Sequence, residues 1–448
     1  MNLEFLVPIL YPVGILACLL SLRWPQTGMY YLVFVLPLQT LRYDIHDYPL
    51  GASIIDVVLI GVILGNFLQG RKLLPTDLPM RVLLIIFCLF TYVSLWQGSF
   101  TLGYGWPTSP SDPRLSFWKS VVELVVIAFV AYQTIRTERQ IRTVLTLMCA
   151  VVLMVSYDLF AVMQSQDLSH YSYTLRYASV LGYAGPNGLA VFEMQFALFL
   201  IGFFSLKHSR TLLLFVILAL IATIYGTAFS FSRGAYVAFA AGLFFIGVAR
   251  YRLILVLLLV GALGSSIFIP SAIRDRVDAV YTKASSSTED QLENSAMQRV
   301  MIWQNALGMF RDHPITGSGF NTYAYMHPVM DFRDTHNYYL KLLVEGGLVG
   351  LLLFLAILGN MFRSGYSLFR KSSDSLFSAL GFGFAACIIG SAVANFFGDR
   401  WTYQQLNGYL WILLALVWRA SALSADSAVA QQPSEVCLQG QVQASAIA

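Results

Sequence analysis

The chain has 448 residues, 57% hydrophobic and only 12% charged, with a mean hydropathy of +0.66, far from the roughly 25% charge of an ordinary soluble domain. Its formal net charge of +4 is small and is sorted by connection along the chain, which argues against nucleic-acid binding. A soluble enzyme is excluded, and an integral membrane protein with little room for a separate soluble domain is predicted.

Apolar runs lie near 3–22, 28–41, 52–68, 81–97, 117–135, 143–163, 186–206, 211–229, 235–249, 253–270, 338–362, 376–397 and 405–418. Most have the length needed to cross a hydrocarbon layer of roughly 30 Å as a helix. The run 28–41 is short and broken by Pro37, so it either crosses or re-enters. The predicted fold class is an all-α polytopic transmembrane helix bundle of about 12–13 spans, with one large extracytoplasmic loop containing amphipathic helices. Twelve spans place the N-terminus inside, thirteen outside. Glu4 stands where a signal peptide carries lysine or arginine, so the first apolar run is expected to stay in the mature chain.

Basic residues cluster in alternate connections: Arg71 and Lys72; Arg136, Arg139 and Arg142; Lys207 and Arg210; Arg250 and Arg252; Arg363, Arg370 and Lys371. The positive-inside rule makes these cytoplasmic. The connections near 98–116, 164–185, 230–234, 271–336 and 398–404 then face outward. The chain divides into transmembrane helices at 1–270, a large periplasmic loop at 271–336, C-terminal transmembrane helices at 337–420 and a tail at 421–448. Rich in Ala, Ser and Gln, the tail is predicted to be a disordered cytoplasmic extension. Within the loop, Lys283–Ser295 is polar and expected to be mobile, and apolar residues at 296, 300, 303, 307 and 310 mark one face of a helix.

Chemistry-bearing residues gather in the outward connections. Arg233, in the short stretch Ser230–Gly234, either snorkels at a helix end or faces a cavity; a short outer connection is where positive charge is least expected. Arg274 and Arg276 follow an apolar run closely, and Arg299 shares a helix face with Trp303, an arrangement able to meet a phosphate and a sugar or prenyl group. For Arg311 and Arg333 a solvated surface is the better reading. Asn187, in the turn Gly185-Pro186-Asn187-Gly188, opens a span and is placed to reach an outer cavity. His336 lies where the loop meets a long apolar helix; it either caps that helix or serves as a general base, and the positive end of a helix dipole favours the neutral ring that a base needs. Tyr323, Tyr325, Tyr338 and Tyr339 surround it in sequence and suit sugar stacking or an interfacial aromatic belt.

Glu123, Asp158, Glu193 and Glu345 fall within apolar runs and motivate a rival class, a lipid-linked glycan flippase or proton-coupled transporter. Cys18, Cys88, Cys149 and Cys387 lie in apolar runs and Cys437 in the tail, with no pairing that suggests a disulfide or metal clamp. No outer-loop D-x-D pair, H-x-x-x-H or C-x-x-C set, Walker loop or G-x-S-x-G motif is present. Metal-independent chemistry without a cofactor is the expectation.

Ser232-Arg233-Gly234, Arg299-x-x-x-Trp303, His313-Pro314-x-x-Gly317-x-Gly319 and His336-Asn337 followed by Leu340 and Glu345-x-Gly347 together resemble the O-antigen ligase and O-antigen polymerase superfamily. The resemblance is clearest from about 185 to 360; each motif alone is weak, and their order and sidedness carry it. It implies a glycosyltransferase of the bacterial inner membrane that moves a glycan from undecaprenyl diphosphate to an acceptor hydroxyl on the periplasmic face. Arg233 and Arg299 would hold the diphosphate, Arg274 or Arg276 would add a contact, and His336 would activate the acceptor. Trp303, Asn187 and Tyr338 complete the expected substrate-binding set. A lipid A core, a growing polysaccharide and a protein all remain open as acceptors, so ligase, polymerase and protein O-oligosaccharyltransferase are all compatible.

Overall fold

The computed structural model describes residues 7–38, 53–72, 74, 78–178, 185–205, 210–263, 271–278, 287–326 and 334–445, and among these it is all-helical, with no strand. Three helices open the chain: α1 (Val7–Ser21), α2 (Pro25–Val35) and α3 (Ile54–Leu68) pack on one another. Then follow α4 (Arg81–Thr101), α5 (Pro113–Thr134), α6 (Glu138–Met163), α7 (Pro186–Ile201), α8 (Arg210–Ala228), α9 (Arg233–Ala249) and α10 (Leu253–Leu263). The large loop contributes α11 (Ser271–Asp278), α12 (Ser287–Asp312) and α13 (Tyr323–Met326), and the chain closes with α14 (Tyr338–Lys371), α15 (Ser375–Ala394) and α16 (Gln404–Ser445).

Among the described residues, eight helices are long and apolar enough to cross a membrane: α4 to α8 and α14 to α16. Among the described residues α1 and α3 have 15 residues each, a rise of about 22 Å, α2 has 11, and α10 is described over 11. In its apolar window α7 is 89% buried, against 39% for α4 and α8. α7 is therefore a central post, whereas α4 turns Leu89, Val93 and Phe100 outward, as lipid-facing helices do.

Helix starts follow capping chemistry. Asp112 accepts from the Arg114 amide at 2.8 Å, with Pro113 in the first turn; Thr137 and Gln140 form a reciprocal capping box on α6. The bundle has two distinct ends. At one, Arg71 donates to the Gln133 carbonyl at 3.2 Å and Arg419 to the Tyr132 carbonyl at 2.6 Å, beside the basic connection that carries Arg136. At the other, Arg114 at the start of α5 donates to Ser99 near the end of α4, at 3.0 Å, and α4 meets the loop around Gly319.

That loop rests on a broken helix. α14 is interrupted at Gly347, whose φ of 60° and ψ of −161° lie outside the helical region. The break frees backbone groups on both sides, and the segment His313–Phe320 takes them up. Ser318 N–H donates to Val344 O at 2.8 Å and Gly319 N–H to Glu345 O at 2.9 Å, while Leu348 N–H donates to Pro314 O at 2.9 Å and Val349 N–H to Ile315 O at 3.1 Å. Non-helical backbone at a membrane helix is tolerated only where such partners exist. A Cβ on Gly317 would overlap the Glu345 carbonyl, and one on Gly347 the Ile315 carbonyl. The Glu345 carboxylate completes the joint by accepting from the amides of Asn321 and Tyr323 at 3.0 and 3.3 Å.

One expectation needs correction, the buried face of α12, whose backbone is helical from Ser287; positions 283–286 lie outside the described residues. The buried side of α12 is Ile302 and Ala306, with Trp303 and Met309 partly buried, against Tyr323 and Val344, whereas Val300 and Leu307 are exposed. Two apolar stripes run along this helix, and periodicity alone does not say which one the small Ala306 lets approach α14. In the tail, the α16 backbone stays helical to Ser445, where Ala, Gln and Leu favour helix.

Candidate functional site

The start of α9, the start of α7, α11, α12 and the connection before α16 converge on a cavity of about 350 Å³. Arg176, Arg233, Arg276, Arg299 and Arg400 line it, with Asn187, Ser232, Gln298 and Tyr173. No carboxylate is among the described residues that line it. The prolyl start of α7 sets Asn187 one residue inside the helix, where its Oδ1 accepts from Arg176 Nη2 at 2.7 Å and from Ser232 Oγ at 2.9 Å. Phe231, in the left-handed region at φ 52°, turns its carbonyl to accept from Arg276 Nε at 3.2 Å, and the Arg276 guanidinium lies 4.9 Å from the Tyr171 ring centroid.

Arg233, Arg299 and Arg400 form no ion pair among the described residues. Burial lowers the Arg299 guanidinium from its usual range, the nearby charges of Arg233, Arg400 and Arg176 lower it further, and Asp334 opposes them. Arg276 is pulled down to about 10 by burial, against the opposing influence of Tyr171, with Arg233 and Arg176 adding to the fall. Both remain charged at neutral pH. A desolvated cluster of like charges is costly without an anion, and planar guanidinium groups are suited to bidentate phosphate contacts.

His336 does not line this cavity. It stands in the left-handed region at φ 53°, a conformation few residues other than glycine adopt. The cap of α14 is its neighbour Asn337, whose Oδ1 accepts from the amides of Tyr339 and Leu340 at 3.0 and 3.3 Å. Asp334 holds His336 at two points: Oδ1 accepts from its backbone N–H at 3.1 Å, and Oδ2 lies 3.4 Å from Nδ1. Burial works to raise the Asp334 carboxyl, but the His336 hydrogen bond and the charge of Lys341 outweigh it and hold it down at about 2. An ionised carboxylate at Nδ1 fixes the orientation of the ring, as the carboxylate partner of a general-base histidine does.

Of the other expected residues, Trp303 braces the loop instead of lining the cavity, its Nε1–H donating to Thr335 O at 3.0 Å. Arg274 shares α11 with Arg276 and is not on the cavity lining. Tyr338 is buried, packs edge-on to Phe354 with centroids 4.9 Å apart, and lines a separate small apolar cavity with Lys341 and Glu345. Sequence reasoning missed Arg176, Arg400 and Asp334. The first two sit on connections that the positive-inside rule expects to face outward, so the sidedness criterion that singled out Arg233 also applies to them; Asp334 shows as a partner only through the fold of its loop.

The carboxylates within apolar runs do not line one path. Glu193 accepts from Ser156 Oγ at 3.0 and 2.9 Å, Asp158 from Tyr177 at 3.1 Å, and Glu123 from Gln404 at 2.6 Å. A search of curated proteins finds no match to this chain. A family model described as O-antigen ligase matches residues 218–355, from α8 through the arginine-bearing α9, α11 and α12 to the broken α14. Over this stretch the chain is similar to the O-antigen ligase family, and its candidate spans make it a multi-pass membrane protein.

Proposed function

We propose that the chain is a metal-independent glycosyltransferase that moves a glycan from undecaprenyl diphosphate to an acceptor hydroxyl on the periplasmic face of the bacterial inner membrane. The observation that carries the reading is the convergence of five arginines on one cavity with no carboxylate on its described lining. The acceptor oxygen attacks C1 of the first sugar, the bond from C1 to the phosphate oxygen breaks with its electrons, and the acceptor proton passes to His336 Nε2. Direct displacement inverts the anomeric centre. Charge grows on the departing diphosphate as that bond breaks, so guanidinium contacts strengthen toward the transition state and lower the barrier. Base and leaving group belong on opposite faces of the sugar, which fits a histidine set apart from the arginine cavity and held by Asp334. The basic connections that carry Arg71 and Arg136 lie at the opposite end of the bundle, in agreement with an outward-facing site.

Purified protein in lipid nanodiscs, given undecaprenyl-diphosphate glycan, is expected to release undecaprenyl diphosphate in step with a new glycosidic bond. Running lipid A core and glycan repeats as parallel acceptors separates ligase from polymerase. Movement of intact lipid-linked glycan across a proteoliposome membrane with no new bond would overturn the reading in favour of transport.

A further inference from the structure

The cavity carries more positive charge than one diphosphate answers. Esterified at both ends, a diphosphate bears about two negative charges, and about three once the sugar has left, its terminal phosphate losing a second proton near pH 6. Five guanidinium groups surround the space. Two are thus left over even at the product stage.

The arginines are also built in two ways. Arg176 and Arg276 are tethered by the protein: Arg176 to Asn187 Oδ1 and, at 3.1 Å, to the Tyr173 hydroxyl; Arg276 to the Phe231 carbonyl and the Tyr171 ring. Each nevertheless keeps a buried nitrogen without a hydrogen-bond partner, Arg176 Nε and Arg276 Nη1, and Arg276 is only 5% exposed. Buried unpaired donors are expensive, more so on a charged group, and a native structure keeps them where a ligand supplies the acceptor. Among the described residues, Arg233, Arg299 and Arg400 have no such tether. Arg176 and Arg276 are thus held beside the start of α9, through Asn187 and the Phe231 carbonyl, whereas Arg299 enters from α12 and Arg400 from the connection before α16. Tyr173 is 51% exposed on the lining and lies 5.2 Å from the Arg176 guanidinium, which sets an aromatic face suited to a sugar ring beside the tethered pair.

We propose that the site takes two anions at once, the diphosphate among Arg233, Arg299 and Arg400, and a sugar-borne carboxylate or phosphate between Arg176 and Arg276. This rests on the transferase reading above and adds the substrate class: one of the two glycans brought together is acidic near the reacting end. Donor and acceptor are both possible bearers of the acid, and the test separates them.

Transfer is measured with undecaprenyl-diphosphate donors whose first sugar is glucuronic acid or glucose, each against acceptors with and without a sugar phosphate. Acid-bearing substrate in one of the two arms is expected to be preferred by about 10- to 100-fold in kcat/KM, the worth of a charge-assisted hydrogen bond. Arg176→Gln and Arg276→Gln should collapse that ratio toward unity, while Arg233→Gln lowers both rates and leaves the ratio in place. Arg276→Lys, with an unfolding temperature checked against wild type, stands in if the Gln variant does not fold. Equal turnover of neutral and acidic substrates in both arms overturns the two-anion site and leaves the transferase reading standing. If no substrate is turned over, the transferase reading fails by itself, and equilibrium dialysis decides the second site. Protein saturated with undecaprenyl diphosphate should then bind glucuronate or glucose 6-phosphate but not glucose, and lose that binding in Arg276→Gln; absence of binding overturns the proposal.

Discussion

Two polar regions lie side by side at one end of the bundle, and they handle charge in opposite ways. Under the loop, Lys341 and Asp399 form a buried ion pair at 2.8 Å, with side chains 9% and 4% exposed. Thr402 donates its hydroxyl to the same carboxylate at 2.9 Å, and Glu345 is answered by two backbone amides. There the protein supplies its own counter-charges. In the neighbouring cavity the arginines receive neutral tethers or none. Removing one partner of a satisfied buried pair leaves an uncompensated charge, whereas removing one of several crowded like charges relieves repulsion. The first region therefore reads as architecture and the second as a place kept for something the chain does not contain.

The comparison can be broken hardest at His336, whose partner Asp334 feels the charge of Lys341 and acts on that of Arg299. His336→Ala is expected to lower turnover by about 10²–10⁴-fold, the usual worth of a general base, with the unfolding temperature little changed because Asn337 is the cap. His336→Asn sharpens this: asparagine tolerates the left-handed backbone but takes no proton, so transfer near the wild-type rate in that variant would make the histidine structural.

Lys341→Met should cost about 3–5 kcal/mol of stability in detergent, as breaking a buried pair does, and pairing it with Asp399→Leu should recover most of that loss. Arg299→Gln is expected to behave the other way round. Its unfolding temperature should hold or rise while kcat falls about 10²–10³-fold, as when one transition-state donor is removed, with Arg299→Lys a partial rescue because it keeps charge without the planar fork. Comparable destabilisation in both variants would erase the distinction between the regions.

The smallest effects concern conditions. Asp334 has a carboxyl held below its unfolded value, so its ionisation adds stability that is fully present above about pH 4 and is lost as pH falls through about 2. Unfolding temperatures of wild type and Asp334→Asn should accordingly run parallel from about pH 5 to 9 and converge only below about 4. Chelation should leave transfer unchanged; loss with EDTA that a divalent ion restores would count against charge stabilisation by arginine alone.

The sequence by itself determined the fold class, because 57% hydrophobic composition and runs of membrane length leave a helix bundle as the way to satisfy every backbone polar group in lipid. It also determined where charge is anomalous: Arg233, Arg276 and Arg299 stand out by sidedness and spacing, and all three reach the cavity. Tertiary structure decided what periodicity and spacing do not encode. It chose Ile302 over Val300 as the buried stripe of α12, turned Trp303 into a brace and Tyr338 into core, and made Asn337 rather than His336 the cap of α14. It also brought Arg176 and Arg400, 224 positions apart in the chain (400 − 176), onto one lining. Hydropathy and helix propensity are local sums over neighbours in sequence, whereas a cavity is formed by several helix ends meeting, and which side chains share it follows from how whole helices pack.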